Sequence, residues 1–107
     1  PQCETKGCLE NIETIVTMDG VDGIFVGPYD LSTALGKPGQ FDDQEVVVAI
    51  ARVLKACKAA KKPAFIYTDT AEAAKKQFHN GFDSVCSCLD TVWLTRAVEQ
   101  MKKDALK

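Results

Sequence analysis

Gly20-Val21-Asp22-Gly23-Ile24-Phe25-Val26-Gly27-Pro28-Tyr29-Asp30-Leu31-Ser32 is the stretch that decides the fold. Residues 23–26 read as a strand that is apolar throughout, as expected in a parallel sheet covered on both faces. Gly27-Pro28 stops it abruptly, and the chain then delivers a carboxylate, Asp30. A second carboxylate, Glu4, stands at the end of an earlier short strand over residues 2–5. Two acids at two strand ends, one βα unit apart, are placed to share a hard metal ion.

Working outward, the pattern is strand then helix, four times. Leu9, Ile12, Ile15 and Val16 recur at helical spacing and predict one helix over 7–18. Asp19-Gly20 and Asp22-Gly23 bracket the turn into the central strand. Beyond Asp30 come a short turn or helix over 31–35 and an irregular loop, Gly36-Lys37-Pro38-Gly39-Gln40-Phe41. Asp42 with Glu45 forms a D-x-x-E capping pattern for a helix over 43–60, its apolar side carrying Val46, Val47, Ile50, Val53, Leu54 and Cys57. A third strand follows at 64–68. Asp69 with Glu72 repeats the capping pattern, and Asn80-Gly81 closes that helix in a left-handed cap. The fourth strand is expected at 84–89. Asp90 is expected to cap a last helix over 91–105, with Val92, Leu94, Val98 and Met101 facing inward.

Repeated βα units with short loops give either an open doubly wound sheet or a (β/α)8 barrel. No G-x-G-x-x-G follows the first strand, which counts against a dinucleotide fold. At 107 residues the chain has room for four units, half of a TIM barrel of about 250 residues. A half barrel leaves two sheet edges and an apolar interior open. The chain opens on Pro1 without an initiator Met and enters a strand almost at once, which reads as an incomplete chain.

Composition narrows the function classes. With 46% hydrophobic and 26% charged residues the chain is ordinary for a soluble globular protein. A net charge of −2 and scattered Lys and Arg argue against nucleic acid or an acidic membrane surface as partner. No apolar run approaches the roughly 20 residues of a membrane span. Five cysteines, an odd number in an α/β pattern, point to reduced thiols and a cytoplasmic setting. Cys86 and Cys88 would share one face of the fourth strand, a weak metal or redox pattern beside the simpler reading of small buried hydrophobes.

In a barrel of this type the working groups sit at the C-terminal ends of the strands. Glu4, Asp30, Asp69 and Asp90 fall at that end; Lys61, Lys62 and His79 fall at the other. Carboxylate oxygens on Glu4 and Asp30 suit Mg2+ or Mn2+, which keep open positions for substrate oxygens. On spacing alone, a simple helix-start or capping role explains both acids better than a metal does, and it explains Asp69 and Asp90 better still. Gly27-Pro28-Tyr29 is either a turn whose backbone approaches a ligand or a plain tight turn. Lys62 stands at the wrong mouth for a Schiff-base lysine.

Gln2-Cys3-Glu4-Thr5, the Gly20–Ser32 stretch, Leu35-Gly36-Lys37-Pro38-Gly39 and Leu89-Asp90-Thr91 together resemble the HpcH/HpaI aldolase and citrate lyase family. The likeness covers essentially the whole chain and corresponds to the C-terminal half of the family's barrel. It implies a metal-dependent, pyruvate-type class II aldolase that cleaves 4-hydroxy-2-oxo acids to pyruvate and an aldehyde. By that resemblance Glu4 and Asp30 are the metal ligands, for Mg2+ or Mn2+ with Co2+ a further option. Gln2 contacts the keto-acid, and the Tyr29–Asp30 backbone holds its carboxylate. The family's base, a His, and its enolate-stabilising Arg fall outside these 107 residues, so no catalytic proton-transfer residue is assigned and the chain alone is expected to be inactive. The resemblance also implies a homo-oligomer, often a hexamer, with the last helix as interface. Phe65 and Cys88 depart from the family, which usually has a small residue at the first and Gly near the second. Two alternatives stand beside the aldolase: a non-catalytic remnant of the same fold, and a related lyase acting on a CoA thioester.

Overall fold

The computed structural model describes all 107 residues. Four strands, β1 (Gln2–Cys3), β2 (Ile24–Val26), β3 (Ala64–Thr68) and β4 (Ser84–Ser87), form one parallel sheet in the order β1-β2-β3-β4. Strictly sequential order rules out a doubly wound sheet, which needs the order to reverse at a switch point. The arrangement is half of a (β/α)8 barrel, with β1 and β4 as free edges.

Strand alternation sets two faces. Cys3, Ile24, Val26, Ala64 and Ile66 are fully buried and point to the helical layer. Phe25, Phe65 and Tyr67 point the other way, to the concave interior, and are half-buried. The core lies between the sheet and α4 (Gln44–Ala59), which contributes Val46, Ala49, Val53, Ala56 and Cys57. Ile12 and Val16 close one flank and Leu31 the other.

Several expectations need correction. The helix predicted over 7–18 is two short ones, α1 (Lys6–Glu10) and α2 (Ile12–Ile15). Asn11 breaks it: its side-chain amide donates to the Gly7 carbonyl at 2.9 Å, giving the backbone a competing partner. Asp43, not Asp42, caps α4, accepting from the Glu45 N–H at 2.9 Å. Thr70, not Asp69, caps α5 (Ala71–Asn80), accepting from the Ala73 N–H at 3.1 Å. In each case two good cap formers are adjacent, and sequence cannot choose between neighbours. The last helix, α6 (Asp90–Ala105), begins at Asp90, and Leu89 occupies the cap position.

The fourth strand ends at Ser87, so Cys86 and Cys88 do not share a strand face. Cys88 instead adopts a left-handed φ of 61°, a conformation that favours glycine. Val47 is exposed although it was expected on the apolar side of α4. Most of the expected inner face of α6 is exposed as well: Leu94 and Met101 are 67% and 66% accessible, and only Val92 is half-buried. Gly81, with φ 106°, is the left-handed cap that was expected. All five cysteines are free thiols, and no helix is long and apolar enough to cross a membrane.

Candidate functional site

Glu4 follows β1 directly, and the chain turns at once into α1, which Thr5 caps by accepting from the Cys8 N–H at 3.2 Å. Glu4 is therefore not a cap. Asp30 lies in the first turn of α3 (Pro28–Ala34), a helix opened by Gly27 and by Pro28, whose fixed φ suits a first helical position. Asp30 makes no capping hydrogen bond either. Neither carboxylate takes part in an ion pair or a side-chain hydrogen bond, so the capping explanation falls for both.

The strand register brings Gln2 and Glu4 together. Gln2 pairs with Phe25 and Cys3 with Val26, so Glu4 lies opposite Gly27. The Glu4 carboxylate and the Gln2 amide crowd the place where a side chain at Gly27 would begin. A Cβ there would stand 2.8 Å from Glu4 Oε2 and 3.1 Å from Gln2 Nε2. Two hard, uncommitted oxygen donors at adjacent strand ends, beside a cradle only glycine leaves open, suit a cation that keeps waters and substrate oxygens in its other positions. No group of three His, Cys, Asp or Glu side chains is placed to hold a metal. Any ion at this point would have at most these two carboxylates from this chain.

Ser32 is a component that sequence reading missed. Fully buried, it donates to the Tyr29 carbonyl at 2.6 Å and accepts from the Gly39 N–H at 3.0 Å. It thereby ties the turn that carries Tyr29 and Asp30 to the loop after α3. Lys37, on that loop, pairs with Asp43 at 2.7 Å and Glu45 at 3.2 Å. These hydrogen bonds raise the Lys37 ammonium and, with the Glu45 N–H, hold the Asp43 carboxyl below its ordinary range. The only signal in sequence was Ser two residues past Asp30, too common to single out.

Arg96 also reaches the strand ends, although it sits on α6. Its Nη1 donates to the Asp69 carbonyl at 3.0 Å. It lines two clefts. One, of about 290 Å3, is bounded by Asp69, Cys88 and Trp93. The other, of about 490 Å3, opens between α3, α4, α5 and α6 and includes Tyr29, Tyr67 and Lys76. Thr68 lines it too, and its hydroxyl is the one buried side-chain polar atom without a partner. Neither cleft is lined by Gln2, Glu4 or Asp30. Strand-end position is the better guide here, because four strands cannot enclose the concave side of a barrel. Burial pushes the Tyr67 phenol up, with the Cys88 thiol, Asp69 and the Cys86 thiol adding to it.

His79, Lys62 and Arg52 lie away from Glu4 and Asp30. His79 is exposed in the last turn of α5. Lys62 donates to the Met18 carbonyl at 3.2 Å at the opposite end of the sheet. Arg52 forks onto Glu13, with both bonds at 2.8 Å.

Residues 1–88 match the family model for HpcH/HpaI aldolase/citrate lyase. The chain belongs to this family. A hydroxypyruvate/pyruvate aldolase of Rhizorhabdus wittichii is 38% identical over 104 residues, covering 95% of this chain and 41% of its own. A 4-hydroxy-2-oxovalerate aldolase of Rhodococcus jostii is 37% identical over 95 residues, covering 89% of this chain and 37% of its own. The crystal structure of an HpcH/HpaI aldolase/citrate lyase family protein from Burkholderia cenocepacia superposes with a TM-score of 0.91 at 34% identity. That match covers 99% of this chain and 41% of the other. The chain thus spans about two fifths of the length of the relatives it matches, and the HpcH/HpaI barrel supplies the frame for its four βα units.

Proposed function

We propose that the 107 residues are the C-terminal portion of a single HpcH/HpaI-type barrel domain and carry its metal and keto-acid subsites. Glu4 and Asp30 hold a divalent cation, Mg2+ or Mn2+. The reaction is cleavage of the C–C bond of a 4-hydroxy-2-oxo acid to pyruvate and an aldehyde. The observation that carries this reading is the pair of carboxylates free of any cap or ion pair, at the C-terminal ends of adjacent strands. The aldolase names of relatives 37–38% identical to the chain support the reaction class.

When bound, the cation polarises the keto-acid carbonyl and favours the enolate left by bond cleavage. The chain's own residues orient the substrate. The Gln2 amide sits beside the Glu4 carboxylate and can donate to a keto-acid oxygen. The amides of Tyr29 and Asp30 lie in the first turn of α3, where a helix has no carbonyl partner for them, and can bind the substrate carboxylate. Ser32 fixes that turn. With Glu4 and Asp30 committed to the cation, no side chain of this set is left to act as general base at the reacting carbon, so proton transfer falls to groups outside it. In the same reading the protein is a homo-oligomer whose α6 apolar face meets a neighbouring subunit.

A divergent, non-catalytic remnant is favoured by one observation, the left-handed Cys88. Mn2+ titration of wild type and Asp30→Ala separates the two. A live site loses more than about 100-fold in affinity, since even a supporting partner of a ligand is worth about 10–100-fold. Equal affinity in both proteins would sink the metal reading. The 107-residue chain supplied with Mg2+, pyruvate and an aldehyde is expected to show no turnover; robust turnover would overturn the division of labour just described.

A further inference from the structure

We infer that Gly27 is a positioning residue for the Glu4 carboxylate, and that its missing side chain is the space through which Glu4 and Gln2 reach the site. This rests on the metal reading above and adds to it a residue that touches neither metal nor substrate.

Comparison among the glycines carries the argument. Gly20, Gly36 and Gly39 have φ between 72° and 82°, so their backbone conformation asks for glycine. Gly23 is required by packing of the main chain: a Cβ there would lie 2.7 Å from the Pro63 carbonyl oxygen, which the sheet holds in place. Gly27 meets neither condition. Its φ is −98°, which any L-residue adopts. The nearest atoms to a Cβ are Glu4 Oε2 at 2.8 Å, Gln2 Nε2 at 3.1 Å and Glu4 Cβ at 3.3 Å. The first two are tips of flexible side chains on the neighbouring strand, and both are groups assigned to the site. The backbone therefore tolerates a methyl group at Gly27, and the Glu4 carboxylate does not. A side chain here would push both polar tips off the strand end while leaving the sheet intact.

The register explains why the demand falls at this position. Glu4 lies opposite Gly27 across the β1–β2 ladder, where strands stand about 4.8 Å apart. A facing side chain in the same row would occupy the volume into which Glu4 extends. Glycine opposite Glu4 lets the carboxylate lie over β2, toward the α3 turn that carries Asp30.

The test is Mn2+ binding, followed by electron paramagnetic resonance, with the melting temperature of the metal-free protein as a second readout. Gly27→Ala is expected to weaken Mn2+ by about 10–100-fold with little change in melting temperature. Gly23→Ala, the packing control, is expected to lower the melting temperature markedly. Glu4→Asp withdraws the carboxylate by one methylene, so in the Gly27→Ala background it is expected to recover affinity, whereas in wild type it lowers affinity. Unchanged Mn2+ affinity in Gly27→Ala, alongside a loss in Glu4→Gln and Asp30→Asn, overturns the role of Gly27 and leaves the metal site standing. A Gly27→Ala protein that melts as early as Gly23→Ala, with no recovery by Glu4→Asp, also overturns it. Unchanged affinity in Glu4→Gln and Asp30→Asn instead removes the metal reading on which the inference stands.

Discussion

The helices α4 and α6 are each 16 residues long, and both carry an apolar face. Their fates differ completely. α4 buries Val46, Ala49, Val53, Ala56 and Cys57, while α6 buries nothing. The cause is position in the sheet. α4 lies across β2 and β3, with α2 and α3 on its flanks, so the apolar side chains on its inner face find neighbours, while Val47 and Val48 on the outer face stay exposed. α6 follows β4, an edge strand, and the ladder stops there. Trp93, Leu94, Val98 and Met101 are all at least half exposed. The molecule is correspondingly long, 55 by 27 by 23 Å. Amphipathic patterning states that a helix needs a partner; it does not show that the partner lies in the same chain.

The largest expected effect strikes the packed side of this comparison. Ile66 on β3 is fully buried against α4. Ile66→Ala should cost about 2–5 kcal/mol in urea unfolding. In the dissociated single chain, Leu94→Ala on α6 should stay within about 0.5 kcal/mol, as at other exposed positions. A Leu94→Ala loss that grows with protein concentration would mark α6 as packed on a neighbouring subunit, as the proposed oligomer requires; a loss comparable to that of Ile66→Ala in the dissociated chain would break the contrast.

A smaller effect is expected where the packed half meets the site. Ser32→Ala leaves the Gly39 N–H without its side-chain acceptor, while the Tyr29 carbonyl keeps the Thr33 hydroxyl as a donor at 3.1 Å. The expected destabilisation is about 1–3 kcal/mol. Faster hydrogen exchange at the Gly39 amide should accompany it. No change in that amide's exchange would show that Ser32 does not hold the loop.

The smallest effect concerns the outer surface. The Glu13 carboxyl is held down at about 2 by its forked hydrogen bonds to Arg52 and by a backbone N–H. A carboxyl depressed in the folded state stabilises fully above its ordinary value of 4.5, and that contribution fades as pH falls toward about 2. Glu13 is exposed, so the effect is slight. Glu13→Gln should lower the urea midpoint a little at pH 7 and not at all near pH 2. A difference that persists undiminished at pH 2 would show that the pair's charge is irrelevant.

Much of this was legible beforehand. The strands could be read because short apolar runs end at Gly27-Pro28, at Asp69 and near Asp90, where regular structure has to stop. Glu4 and Asp30 could be placed at one end of the sheet by that same rule. Neighbouring cap formers cannot be ranked from sequence, so the D-x-x-E patterns at Asp42 and Asp69 do not reveal that Asp43 and Thr70 make the caps. The Asn11 break was hidden, because a side chain bonding back to Gly7 leaves the apolar spacing of Leu9, Ile12 and Val16 untouched. Ser32 and Arg96 were hidden because their roles depend on reaching the Gly39 amide and the Asp69 carbonyl, which lie 7 and 27 residues away.

By itself the amino-acid order determined that strands and helices alternate, which strand faces are apolar, and that two acids follow successive strands. These are local matters of periodicity and backbone preference. Tertiary structure alone decided that Glu4 and Gln2 share the space at Gly27, that Ser32 anchors the Asp30 turn, and that α6 stands uncovered. Each of those depends on which residues become neighbours across the sheet, and register and sheet edges are properties of the assembled ladder.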